Sequence, residues 1–220
     1  MSSHVFRLSG ASLSALPSGA LHWPEQGVLV VSDLHLGKSE RIARRSGTLL
    51  PPYEVTETLS RLDADIATTA PRLVICLGDS FDDLEASELA EEHALWLARL
   101  MAGRRWIWIE GNHDPGPVAL GGEHRAELVL GPLTFRHIAL LGAEGEVSGH
   151  YHPKMRLAGQ SRRCFLYDRA RVILPAYGTY TGGLSSDDLA FSGLMLDGAM
   201  AILTGRKALP VPIPKDDVHG

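Results

Sequence analysis

Residues 27–35 read Gly27-Val28-Leu29-Val30-Val31-Ser32-Asp33-Leu34-His35. A short β-branched apolar run stops abruptly at a carboxylate and an imidazole. Two later stretches repeat the design. Leu73-Val74-Ile75-Cys76-Leu77-Gly78 ends at Asp79, and Arg105-Trp106-Ile107-Trp108-Ile109-Glu110 runs into Gly111-Asn112-His113-Asp114. Continuous apolar runs of this length predict strands buried on both faces. Between the first two, Val55, Leu59, Leu62 and Ile66 recur at helical spacing, one apolar stripe on a helix. Leu89, Trp96, Leu97 and Leu100 do the same between the second and third, and Gly103 follows as a helix end. Strand, helix, strand, helix, strand predicts a layered α/β domain.

The second half has fewer helix signals. Residues 133–139, 146–149, 163–167, 171–174, 191–196 and 199–203 read as short strands. Asp197-Gly198 reads as a hairpin turn between the last two. Two sheets packed face to face, with helices outside, are expected. Neither an internal repeat nor a low-complexity linker divides the chain. A single domain over residues 1–208 is expected, with 209–220, which holds three prolines, as an extended tail.

Composition narrows the function classes. Of 220 residues, 21 are Lys or Arg and 26 Asp or Glu, a formal net charge of -5. Bulk charge therefore does not favour nucleic acid. Cys76 and Cys164 give neither a disulfide framework nor a thiolate metal spacing. No secretory signal pattern and no bilayer-length apolar run is present, so a cytoplasmic location without membrane attachment is the expectation.

Polar side chains collect at the strand ends. The clusters are Asp33-Leu34-His35, Gly78-Asp79-Ser80-Phe81-Asp82, Gly111-Asn112-His113-Asp114, His137, and Gly149-His150-Tyr151-His152. Carboxylate oxygen suits hard divalent cations, and imidazole suits Mn, Fe, Co and Zn. Asp, His and Asn without thiolate fit a catalytic centre better than a structural zinc site. Glycines before Asp79, Asn112 and His150 allow sharp turns and close backbone approach. Open α/β sheets place ligand sites at the carboxyl ends of their strands, where these clusters fall.

In that order the five motifs resemble the calcineurin-like metallophosphoesterase superfamily. The closer resemblance is to bacterial DNA ligase-associated metallophosphoesterases, on residues 32–38 (Ser-Asp-Leu-His-Leu-Gly-Lys) and 174–184 (Leu-Pro-Ala-Tyr-Gly-Thr-Tyr-Thr-Gly-Gly-Leu). The resemblance implies an α/β four-layer metallophosphoesterase sandwich of two mixed sheets. It implies two divalent metal ions, Mn2+ in the first place, with Fe, Co or Zn as alternatives. One would be held by Asp33, His35, Asp79 and His152, and the other by Asp79, Asn112, His137 and His150, with Asp79 shared. Ile138 departs from the family pattern, which has a small residue after this histidine. His113 would stabilise the phosphoryl oxygens or protonate the departing alkoxide, and Asp114 would either orient its ring or cap a helix. Asp82 reads more readily as a helix cap.

Lys38, Arg41, Arg44 and Arg45 follow the first motif closely. They form either a solvated face or a grip on phosphates flanking the scissile one. Tyr151, Tyr177 and Tyr180 are candidates for stacking on bases or, for the latter two, for packing. The resemblance thus implies a phosphodiesterase, a DNA endonuclease or other nuclease of a repair pathway, with DNA as substrate and functional association with a DNA ligase and helicase. A homodimer is compatible with the strand-rich second half. The rival expectations are a small-molecule phosphoesterase acting on nucleotides, cyclic nucleotides or nucleotide-lipid pyrophosphates, which the net charge suits, and a non-catalytic scaffold, which the filled motif positions disfavour.

Overall fold

The computed structural model describes residues 2–37, 53–81, 89–112 and 120–213. The first sheet has seven strands in chain order: β1 (His4–Leu8), β2 (Ala11–Ala15), β3 (Leu21–Trp23), β4 (Val28–Val31), β5 (Leu73–Leu77), β6 (Arg105–Ile109) and β7 (Glu123–Arg125). Strands β1 to β4 pair antiparallel, and β4 to β7 pair parallel. Helix α1 (Glu54–Thr69) lies between β4 and β5 in the chain, and α2 (Glu91–Met101) between β5 and β6.

The second sheet contains β8 (Glu127–Leu130), β9 (Leu133–Arg136), β10 (Glu146–Ser148), β12 (Gln160–Tyr167), β13 (Arg171–Ile173), β14 (Met200–Leu203) and β15 (Leu209–Pro212). Their order is β15-β14-β12-β13-β10-β9-β8, and β11 (Lys154–Leu157) hangs on β12 as a hairpin. Pairing is parallel for β9–β10 and β10–β13 and antiparallel elsewhere. Both sheets are mixed, as expected.

Alternation within the apolar runs decides which layer each side chain joins. Val28, Val30, Ile75, Leu77, Ile107 and Ile109 point toward the second sheet, where they meet Phe135, Val147, Phe165, Val172 and Ile202. The intervening Leu29, Val31, Val74, Cys76, Trp106 and Trp108 pack under α1 and α2, against Val55, Leu59, Leu62, Ile66, Leu97 and Leu100. The far face of the second sheet, with Cys164, Leu166, Ile173, Ala201 and Leu203, is covered by Phe191 and Leu194 from a short 3-10 turn and its continuation. No helix among the described residues is long and apolar enough to cross a membrane.

Three local expectations change. Residues 191–196 are not a strand, because Asp188 caps a 3-10 turn over Leu189–Phe191 by accepting from the Ala190 N–H, and Gly193 turns the chain with φ 81°. Asp197-Gly198 consequently makes a turn with no strand before it. Leu209, expected to open a tail, begins β15, which pairs with β14. Pro210 and Pro212 are tolerated there because β15 is an edge. Strands β1 to β3 had no counterpart in the sequence expectation. Their buried apolar residues alternate with more exposed ones instead of forming a continuous buried run, as in β1 with Phe6 and Leu8 inward and in β2 with Ala11, Leu13 and Ala15 inward.

Candidate metal centre

Every expected ligand lies just past the carboxyl end of a strand. Asp33 and His35 follow β4, Asp79 follows β5, Asn112 follows β6, His137 follows β9, and His150 and His152 follow β10. Main-chain bonds lock these loops together. The His35 N–H donates to Asp79 O at 2.9 Å, Gly149 N–H to His137 O at 3.0 Å, and Gly178 N–H to Asp33 O at 3.0 Å. The His150 N–H donates to Asp33 Oδ2 at 3.0 Å, which ties the two sheets to each other.

The backbone is bent where the ligands sit. Eight non-glycine residues among those described have positive φ, and five are Asp33, His35, Asp79, His150 and His152. Such conformations cost on the order of 1–3 kcal/mol each and persist only where surrounding structure enforces them. Concentrating them here turns side chains from three separate loops toward one place.

Two groups of donor atoms result: Asp33, His35 and His152, and Asp79, His137 and His150, with the atoms of each group within 4.8 Å of one another. In the first, His35 Nε2 is 3.4 Å from His152 Nε2. Asp33 Oδ1 is 3.1 Å from the same His152 nitrogen, in a geometry that leaves this buried oxygen outside a well-formed hydrogen bond. In the second, His137 Nε2 faces Asn112 Oδ1 at 2.9 Å, His150 Nδ1 at 3.2 Å and Asp79 Oδ2 at 3.4 Å. His137 Nδ1 lies 2.8 Å from Leu77 O. A carbonyl only accepts, so Nδ1 carries the proton, and Nε2 of the neutral ring presents a lone pair. Lone pairs gathered this closely need a cation or a proton among them. The donor set, oxygen and imidazole without thiolate, fits a divalent metal.

The calcineurin-like phosphoesterase family matches residues 27–189, which is most of the chain and contains both donor groups. The chain belongs to this family. A crystal structure described as Pseudomonas putida nuclease MPE resembles this phosphoesterase with a TM-score of 0.77 and 28% sequence identity, over 95% of this chain and 100% of that one. Among curated proteins no match was found. The protein is a metal-dependent phosphoesterase, a hydrolase whose two Asp/His groups are candidate metal sites.

Electrostatics in this phosphoesterase follow the burial of the site. Burial pushes the Asp33 carboxyl up, but the adjoining His152 ring, the His137 charge and the Ser32 hydroxyl outweigh it and hold its pKa below the usual range. Burial also disfavours a charged His137, yet Asp79 and Asp33 beside it raise its pKa. His150 is lowered, first by burial and then by His137. Ser32, which directly precedes Asp33 and has no local signal of a role, is a positioning residue whose hydroxyl donates to Asp33 Oδ2.

Two glycines let the loops meet. At Gly149 a Cβ would lie 1.7 Å from Ser32 Oγ, and at Gly78, with φ +74°, it would lie 2.5 Å from His137 Nδ1. Gly78→Ala is therefore expected to push the His137 ring off Leu77 O and to lower metal affinity by roughly 10–100-fold, the scale of lost ligand orientation. Calorimetric titration of the chelator-stripped variant with Mn2+ checks this, and wild-type affinity would refute it.

Of the remaining expected site residues, Lys38, Arg41, Arg44, Arg45, Asp82, His113 and Asp114 lie outside the described residues. Tyr180 is on the loop that follows β13 and is 38% exposed. Tyr177 is no base platform: it is fully buried, and its hydroxyl donates to Asp65 at 2.9 Å. Tyr151 stands edge-on to His150, with ring centroids 5.1 Å apart.

Proposed function

We propose that this phosphoesterase is a two-metal phosphodiesterase that cleaves DNA strands in a repair pathway, with DNA ligase and helicase as functional associates. The observation that carries it is the pairing of two donor groups in one place, stitched by the bond from the His150 N–H to Asp33 Oδ2. In this reading Asp33, His35 and His152 would hold one cation, and Asn112, His137 and His150 the other, with Asp79 as the shared ligand. When bound, the cations, Mn2+ before Fe, Co or Zn, would lower the pKa of water and neutralise charge on the attacked phosphate. The two carboxylates, Asp33 and Asp79, would offset only two of the four positive charges of a pair of divalent ions, so the filled centre would attract a phosphate anion.

The protein's own groups do the rest. The bond of His137 Nδ1 to Leu77 O keeps that ring in the coordinating tautomer. His113 donates to a phosphoryl oxygen or to the leaving alkoxide, and Asp114 orients it. Lys38, Arg41 and Arg45 grip flanking phosphates, and Tyr180 stacks on a base or sugar. The nuclease named in the structural comparison supports a nucleic-acid strand over a small diester.

The experiment is a substrate panel on chelator-stripped protein with and without Mn2+, using bis(p-nitrophenyl) phosphate, single-stranded DNA, duplex DNA and cyclic nucleotides. Activity is expected only with added metal, and on DNA strands as well as the chromogenic diester. Turnover confined to cyclic nucleotides would move the assignment to a small-molecule phosphoesterase, the alternative that the net charge of -5 favours. Cleavage that survives metal removal would end both.

A further inference from the structure

Three cations from distant parts of the chain meet on the loop that follows β13. That loop is anchored to both sides of the metal centre. The Gly178 N–H donates to Asp33 O at 3.0 Å, and a Cβ at Gly183 would lie 2.0 Å from His152 O. Between these anchors, Arg163 donates to Thr179 O at 2.9 Å, Arg61 to Thr179 Oγ1 at 3.4 Å, and Lys154 to Thr181 O at 3.2 Å.

Their arrangement works against stability. Lys154 and Arg163 are direct cross-strand partners in the β11–β12 hairpin, and like charges directly opposite one another are destabilising. All three bonds go to neutral oxygens, and none of the three cations is in an ion pair among the described residues. Two carboxylates lie nearby: exposed Glu57, which attracts Arg163, and Asp65, which attracts Arg61 but is already bonded by Tyr177. Arg61 Nε is buried without a hydrogen-bond partner, while its guanidinium carbon sits 4.9 Å from the centroid of the Tyr177 ring. Burial, then repulsion from Arg61, depresses the Arg163 pKa to about 10. A loop staple needs no charge, and neutral amides would make these bonds without the repulsion.

We infer that Arg61, Lys154 and Arg163 form a subsite for a second phosphate, that of the nucleotide adjoining the scissile bond in a nucleic-acid strand. An incoming dianionic or monoanionic oxygen cluster relieves the mutual repulsion and supplies charge-assisted acceptors. Tyr180, between the two bonded threonines, is placed to meet the sugar or base of the same nucleotide. This inference rests on the strand-cleaving reading above, and a one-phosphate substrate does not reach the subsite.

Lys154→Gln and Arg61→Gln test it, each retaining a donor for its threonine oxygen. Initial rates at subsaturating substrate are measured for bis(p-nitrophenyl) phosphate and for a single-stranded oligonucleotide across a salt series. Thermal melts confirm folding, and Lys154→Gln, at a half-buried hairpin position, serves if Arg61→Gln does not fold. The ratio of kcat/KM for the oligonucleotide to that for the small diester is expected to fall about tenfold or more. The log–log salt slope for the oligonucleotide should become shallower by roughly 0.7 per lost phosphate contact. Equal losses on both substrates, or an unchanged slope, would overturn the subsite and leave a merely structural loop contact. Wild-type protein that turns over the small diester but cuts no strand would overturn the strand-cleaving reading itself, and the subsite with it.

Discussion

Asp79→Ala is expected to lower metal-dependent phosphodiester cleavage by at least roughly a thousandfold, since each tenfold is about 1.4 kcal/mol and metal stabilisation of the transition state is worth several. Asp79 is 3% exposed and follows β5 with φ 46°, a strained conformation that aims its carboxylate at His137. As the shared ligand it would touch both cations, so its removal should reduce bound metal as well as rate. Stability of the metal-free protein should change little. There Asp79 Oδ2 sits 3.4 Å from His137 Nε2, and truncation relieves a crowd of acceptors instead of opening a hydrophobic cavity. Metal content by elemental analysis, circular dichroism and a rate on bis(p-nitrophenyl) phosphate check the three parts. A well-folded variant with full activity would refute the shared-ligand assignment.

Arg171→Ala is expected to have the largest effect on stability. Arg171 and Glu146 are 2% and 0% exposed, and they meet at 2.9 Å. Arg171 also donates to Leu140 O at 2.9 Å and Ala143 O at 3.1 Å, and Glu146 Oε2 accepts from the Leu140 N–H at 2.9 Å. The pair thus clamps the loop that begins at His137. Removing one partner of a buried pair costs about 3–5 kcal/mol. For a chain of this size that corresponds to a fall in Tm of roughly 6–20 °C, and the His137 loop should loosen with it. Burial raises the Glu146 pKa despite Arg171 and Arg136, so holding its charge inside the protein is itself costly. Arg171→Met combined with Glu146→Leu should therefore recover much of the lost stability, though not the loop geometry, because the two carbonyls stay without their donor. Calorimetric Tm and Mn2+ affinity separate the two effects. A single variant that melts within a degree or two of wild type would show that the pair contributes no net constraint.

Much of the site was legible in the chain because its motifs are local. Asp33 with His35 and Gly78 with Asp79 each sit within three residues, directly after an apolar run whose strand character is a matter of composition, and His150 with His152 are equally close in the chain after Glu146-Val147-Ser148-Gly149. The three central strands and both helices were legible for the same reason: periodicity is carried by neighbours. The N-terminal strands β1 to β3 were not, since alternating serine and alanine is a weak signal until a second sheet supplies the apolar surface that Phe6, Leu8 and Leu13 cover. Residues 191–196 misled because four apolar side chains suggest a strand, whereas the cap of Asp188 and the positive φ of Gly193 decide for a turn.

The sequence by itself determined the chemistry available to this protein: carboxylate and imidazole donors at strand ends, no thiolate, and an order of motifs shared with calcineurin-like phosphoesterases. Only the tertiary structure decided which donors stand together, because their convergence depends on loops from two sheets held by bonds such as that from the His150 N–H to Asp33. It alone also brought Arg61 of α1 beside Lys154 and Arg163 of the hairpin. Charges so far apart in the chain have no local signature, and their repulsion exists only once the fold has placed them side by side.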